Sequence, residues 1–179
     1  VIPLSKEEVR RAAKKLVSEG VKAIAIAFLW SNENPAHEDE AARIVHEVEP
    51  DIFVNTSHKV APLIREYGRF NSVMIDTYIG PIMTEWYKSL YARLRDEGLS
   101  REMLTAQVWG GVMPYHAMMP IGTINSGPVG GSLGSKRIAE LLVKPNVVAT
   151  DVGGTSFEVS VIARYEALQA REPPIMRYR

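Results

Sequence analysis

The chain has 179 residues, 46% of them apolar and 23% charged, which is the composition of a soluble globular protein with room for one ordinary domain or two small ones. Lys plus Arg and Asp plus Glu balance at 21 each, so charge favours neither nucleic acid nor an anionic membrane as partner. The absence of cysteine excludes disulfides, thiolate zinc sites and cysteine nucleophiles, and no apolar run is of membrane-spanning length; with no signal-peptide pattern at the N-terminus, a cytoplasmic protein is expected.

Ser5 to Gly20 predicts a helix. Ser5 and Glu8 have the spacing of a capping box, Leu4 can staple onto Val9, and Val9, Ala12, Ala13, Leu16 and Val17 form one apolar face. Gly20 supplies a left-handed stop. Val21 to Trp30 is almost continuously apolar, as in a strand covered on both faces of a parallel sheet. Asn34-Pro35 opens a second helix with Ala41, Ile44, Val45 and Val48 inward, Pro50 ends it, and Ile52-Phe53-Val54 is a strand. The order predicts a right-handed βαβ unit.

Ala61 to Gly98 reads as helical, interrupted at Gly80-Pro81. Ile82, Trp86, Leu90 and Leu94, flanked by Met83, Tyr87 and Tyr91, form a stripe expected to pack in a core or at a domain interface. Glu85, Lys88, Arg93, Arg95 and Asp96 make the solvated face. Leu104 to Trp109 returns to strand character until Gly110-Gly111, and Pro114 to Pro120 is irregular, marking a boundary between residues 1–115 and 116–179. Gly127-Pro128 starts a helix that runs to about Val143. Its glycines fit neither a Walker loop nor G-x-G-x-x-G, because Ser135 separates Gly134 from Lys136. Two compatible readings remain: close packing of the helix on a sheet through its glycines, or an anion held at the helix start near Gly127, Gly130 and Gly131.

Asn146 to Ile162 predicts a strand, a glycine turn and a second strand. Asp151-Val152-Gly153-Gly154-Thr155-Ser156 suits a phosphate and its metal. The N–H groups of Gly153 and Gly154 have no Cβ in the way, Thr155 and Ser156 add hydroxyls, and Asp151 can hold Mg²⁺ directly or through water. A tight hairpin turn has the same composition, so the local pattern leaves both readings open. His37, His46, His58 and His116 lack metal-ligand spacing, Asp39, Glu40, Glu47 and Glu49 read as a solvated helix face, and there is no G-x-S-x-G elbow. The residues name no catalytic group.

Ser126-Gly127-Pro128-Val129-Gly130-Gly131 followed by Asp151-Val152-Gly153-Gly154-Thr155-Ser156-Phe157-Glu158-Val159 resembles the hydantoinase A / 5-oxoprolinase family, which shows S-G-P-x-G-G and then D-x-G-G-T-S-x-D-V. Asn34-Pro35-Ala36-His37-Glu38, Arg65-Glu66-Tyr67, Asn71 and Tyr78-Ile79-Gly80-Pro81 resemble its earlier segments. The resemblance implies an α/β fold with a βαβ layer and long helices, part of an actin-like ATPase core of the acetate kinase, Hsp70 and sugar kinase type. It implies ATP and Mg²⁺ as cofactors, other subunits or further chain as partners, and activation of a small carbonyl or cyclic amide by a hydrolase or carboxylase, with the carboxylase subunits the nearest look. Residues 1–115 then correspond to the family's N-terminal part and 116–179 to the start of its ATPase lobe. Glu158 stands where the family usually has Asp. Such folds grip phosphate from two hairpins, and only one is present. Together with a start at Val1 rather than Met, this predicts a piece of a longer protein that does not turn over ATP alone. The competing readings are a non-catalytic assembly subunit and a sugar-kinase-like phosphotransferase.

Overall fold

Helix α1 (Lys6–Ser18) stops at Gly20, whose φ of +80° is left-handed. Gly20 N–H donates to Val17 O at 3.0 Å and Val21 N–H to Leu16 O at 3.4 Å, the bond pair of a Schellman stop. The helix start departs from expectation. Ser5 is the N-cap but its hydroxyl makes no cap bond, and Glu8 turns toward Arg11 at 3.9 Å instead of back to Ser5. Leu4 and Val9 still pack against the core, so apolar contact sets the entry of the chain without the capping box. These features come from a computed structural model that describes residues 2–168.

Strands β1 (Ala23–Ile26) and β2 (Phe53–Thr56) pair in parallel, from Ala23 opposite Phe53 to Ile26 opposite Thr56. A parallel pair needs a crossover, supplied by α2 (Ala36–Val48). Asn34 Oδ1 accepts from Ala36 N–H at 3.1 Å and Pro35 already has helical dihedrals, so the dipeptide opens the helix as its chemistry dictates. Ile24 and Ile26 point to one side and join Ala13, Ala41, Val45 and Ile52 in the core. Each large aliphatic chain buried there contributes about 1.5–3 kcal/mol. Strand β1 is shorter than the apolar run, and Ala25 is exposed, so the strand is not covered on both faces. The chain leaves the sheet at Phe28, whose N–H and C=O are claimed by the side chains of Glu38 and Arg69.

After a single turn, α3 (Ser57–Val60), comes α4 (Glu66–Asp96), 31 residues long. It passes through Gly80-Pro81 without the expected break. Proline costs the helix one hydrogen bond, and its fixed φ is compatible with the helix. Gly80 has a packing role: a Cβ there would collide with the Phe53 ring of β2. The aromatic stripe packs mainly in its second half. Tyr87, Leu90, Tyr91 and Leu94 are half-buried, with Tyr91 4.7 Å from the Tyr115 ring, whereas Ile82 and Trp86 are exposed.

The chain divides into two compact units: Val1–Leu104 with Pro114–Ile121, and Thr105–Met113 with Gly122 onward. Strands β3 (Leu104–Ala106) and β4 (Val112–Pro114) pair around a turn closed by Gly110 N–H donating to Gln107 O. A 3-10 turn at Tyr115–Ala117 and a short α5 (Pro120–Thr123) lead to α6 (Ser126–Leu141). Strands β5 (Asn146–Val152), β6 (Phe157–Ala163) and β7 (Glu166–Ala167) form an antiparallel sheet in that order. The α6 glycines do not press on it. Gly127, Gly130, Gly131 and Gly134 are exposed and a Cβ on any of them would meet open space, while Ser132, Ser135 and Ala139 take the covered side.

Candidate functional site

The Asp151 stretch folds as the antiparallel hairpin its pattern predicts. Val152 pairs with Phe157 and Asp151 with Glu158, leaving Gly153-Gly154-Thr155-Ser156 as the loop. Gly153 N–H donates to Ser156 O at 3.0 Å and so closes the turn, and Ser156 Oγ donates to Glu158 Oε1 at 2.5 Å. Among the described residues no hydrogen bond engages Gly154 N–H or the Thr155 hydroxyl. The whole loop is exposed.

Behind the loop, the register sets two carboxylates directly opposite each other on adjacent strands. Like charges in that arrangement destabilise a sheet. Both line a cavity of 210 Å³ between the sheet and α6, together with Gly131, Ser132 and Ser135 of the helix and Ser160 of β6. No Lys, Arg or His lines it; Lys136 Nζ is 3.4 Å from Glu166. The cavity therefore offers carboxylate and hydroxyl oxygens without a cation, which is the donor set of a hard metal ion. Among the described residues no three acidic or histidine side chains gather to hold a metal. Two carboxylates suit Mg²⁺, which keeps several water or phosphate oxygens of its own. Gly131 is thus brought to the acidic pair, whereas Gly127 and Gly130 lie outside the cavity lining and Gly153 to Ser156 form the exposed tip.

A second polar constellation, in the other unit, has no chemical counterpart in the sequence reading. Glu38, fully buried on α2, accepts from Phe28 N–H (2.8 Å), Ser57 Oγ (2.6 Å), His58 N–H (3.0 Å) and His58 Nδ1 (2.7 Å). Burial pushes its carboxyl up, but the donors from Ser57, His58 and Phe28 outweigh that and hold it below the usual range. Arg69, equally buried on α4, donates to Ser57 Oγ, Asn32 Oδ1, Leu63 O and Phe28 O at 2.9–3.3 Å. Nearby, Asp76 accepts from Asn55 Nδ2 (2.6 Å) and Ile121 N–H (2.7 Å); burial pushes its carboxyl up despite both donors. The sequence places Glu38 and Arg69 31 positions apart on two helices, and nothing local links them. Thr56 Oγ1, buried beside this cluster at the end of β2, has no partner among the described residues. Of the solvated helix face, Glu40 is held at about 2 by Arg43 and Lys6.

The sequence profile of the hydantoinase/oxoprolinase family matches residues 69–179, and the profile of that family's N-terminal region matches residues 1–49. The chain belongs to the hydantoinase/oxoprolinase family. It is 35% identical to the acetophenone carboxylase gamma subunit of Aromatoleum aromaticum over 167 residues, 90% of this chain and 23% of that one. It is 31% identical to the caprolactamase alpha subunit of Pseudomonas jessenii over 179 residues, 99% of this chain and 26% of that subunit. The nucleotide-free structure of acetone carboxylase, from work on ATP-dependent acetone carboxylation, superposes with a TM-score of 0.80 at 31% identity, over 93% of this chain and 24% of that one. The α/β class expected from the sequence is the class observed. The chain spans about a quarter of the length of these relatives. Among the described residues no helix is long and apolar enough to cross a membrane.

Proposed function

We propose that this chain is part of a larger cytoplasmic ATP-dependent subunit, an amidohydrolase or carboxylase, and carries one of the two phosphate-gripping hairpins of its ATPase core. The observation that carries the reading is the Asp151–Glu158 pair, two acids in direct opposition that line one cavity with α6. A bound Mg²⁺ would relieve their repulsion and supply the charge that phosphate needs in a cavity without Lys or Arg. Asp151 would hold the metal directly or through water, and Glu158, already oriented by Ser156 Oγ, would take a water of its shell. Gly154 N–H and the Thr155 hydroxyl are free to meet phosphate oxygens, with the Ser156 hydroxyl reaching them once it turns from Glu158. The positive end of α6, from Gly127 to Gly131, adds a favourable field.

The names of the relatives support ATP use and a subunit setting. In this reading the substrate is a small carbonyl compound or cyclic amide bound largely outside these residues, and other subunits complete the enzyme. The test is Asp151→Ala in the parent protein. Loss of ATP-dependent turnover by at least about a hundredfold, with the fold intact by circular dichroism, is expected for a group that positions phosphoryl transfer. Unchanged turnover would mean an assembly subunit that keeps only the scaffold.

A further inference from the structure

Trp109 lies in the turn between β3 and β4 and is 57% exposed, yet its ring has a built seat. A Cβ on Gly122 would lie 2.6 Å from Trp109 Cζ3, and one on Gly111 would lie 3.3 Å from its Nε1. The indole therefore rests on two glycines, one at each end of its length. Gly122 admits no side chain there, and its C=O is held by Val108 N–H. A large aromatic side chain gains most from burial. This one is fixed in orientation and keeps more than half of its surface free.

Trp109 borders a cavity of 480 Å³, whose other walls include Pro128, Val129, Ser132 and Leu133 of α6 and Leu168 at the end of β7. That volume suits a small molecule. Among the described residues no charged side chain lines it. Pro128 and Ser132, neighbours one helical turn apart, also line the cavity of Asp151 and Glu158. The two cavities thus flank one ridge of α6. The acidic one lies toward Gly131 and Ser135, and the uncharged one toward Val129 and Leu133. Ser132, common to both, carries a hydroxyl able to donate to a carbonyl oxygen.

We propose that this pocket binds a small, flat, uncharged carbonyl compound, stacked on the Trp109 indole with its oxygen toward Ser132. It is the part of the substrate's site that lies within these residues, and the inference rests on the function proposed above for what the neighbouring cavity holds. A carboxylate ligand would be desolvated against walls that offer it no counter-charge. An aliphatic chain would fill the volume but has no use for a flat seat held in one orientation. The base of ATP stands a ribose and two further phosphates away from the terminal phosphate, whereas a single helix ridge separates these two cavities.

Ligand-observed NMR titrations on the nucleotide-free parent protein test it, with benzamide and valerolactam as probes and benzoate and benzamidinium as charged isosteres. Both probes are expected to bind with millimolar Kd, benzoate at least about tenfold more weakly, and benzamidinium no more tightly than benzamide. Trp109→Ala should weaken benzamide by at least about tenfold and Trp109→Phe by much less, since a flat ring remains. Val129→Phe narrows the pocket from α6 without touching the glycine seat, and should weaken both probes even if Trp109→Ala fails to fold. Probes that do not bind, or that bind the parent and the folded variants alike, overturn the proposal. Tighter benzamidinium would make the indole a cation site, and a loss of ATP·Mg²⁺ affinity beyond about twofold in Trp109→Ala would make it the base pocket; either result overturns it too. Benzamide binding that depends on Trp109, in a protein whose turnover survives Asp151→Ala, would sink the phosphate reading and leave the pocket standing. Turnover lost with Asp151→Ala while benzamide ignores Trp109 and Val129 would sink the pocket alone.

Discussion

The buried cluster of Glu38 and Arg69 and the hairpin acids Asp151 and Glu158 are two ways of placing charge. Around Glu38, both carboxylate oxygens are met by donors from the chain itself, and Arg69 finds four acceptors. The cluster ties α2, α3, α4 and the exit of β1 together and leaves no valence for a ligand. At the hairpin, two acids face each other with one hydroxyl donating to Glu158 and no base lining their cavity. Saturated charge in a buried cluster holds a fold. Unsaturated charge of one sign lining a cavity leaves acceptors that the chain itself does not satisfy.

The sharpest way to break that comparison is to remove one member from each region. Arg69→Ala strands Phe28 O and Leu63 O inside the cluster; it should cost about 1–3 kcal/mol for each stranded acceptor by urea denaturation. A loss below about 1 kcal/mol would mean that water already shares the cluster. Gly80→Ala should cost about 1–3 kcal/mol through the Phe53 ring, and Phe53→Leu in the same molecule should recover much of it. The absence of recovery would shift the cause to the helix itself.

Acid should act on the buried cluster in a defined sense. The Glu38 carboxyl is lowered from 4.5 in the folded chain, so the unfolded chain takes the proton first. Its contribution is complete above about 4.5 and drains away as pH falls through the lower folded value. Asp76, raised from 3.8, works the other way: its buried charge weighs on the fold above the raised value, and protonation relieves it as pH falls toward 3.8. Glu38→Gln should therefore lower the unfolding midpoint at pH 7 and flatten its fall at acid pH. A parallel downward shift at every pH would refute the assignment. The smallest effect belongs to the hairpin: Asp151→Asn should stabilise the short chain by about 0.2–1 kcal/mol, since it removes a like-charge pair. Magnesium should raise the midpoint of the unsubstituted chain and leave that of the variant unmoved.

Several elements are written locally and were readable without coordinates. Gly20 stops α1, because only a residue without Cβ takes φ of +80° cheaply. Asn34-Pro35 opens α2 because proline has no N–H to waste there. Strands of opposite hydrophobic habit around Gly153-Gly154 close as a hairpin. Other features needed the fold. Gly80-Pro81 has the composition of a break, yet the helix continues, since the glycine answers a ring arriving from β2, 27 positions away. The α6 glycines have the spacing of a packing ridge, but the covered side belongs to Ser132, Ser135 and Ala139. Ser5 and Glu8 have the letters of a capping box, and a neighbouring arginine takes the glutamate.

The sequence by itself determined the first two helices, the parallel βαβ start and the hairpin that presents Asp151, because each rests on turn chemistry or periodicity within a few residues; the family came from the resemblance of its glycine motifs. Only the tertiary structure decided that Glu38 and Arg69 meet in one buried cluster and that Asp151 faces Glu158 beside α6. Those are long-range encounters. They depend on the register and packing of separate elements, which no local pattern encodes.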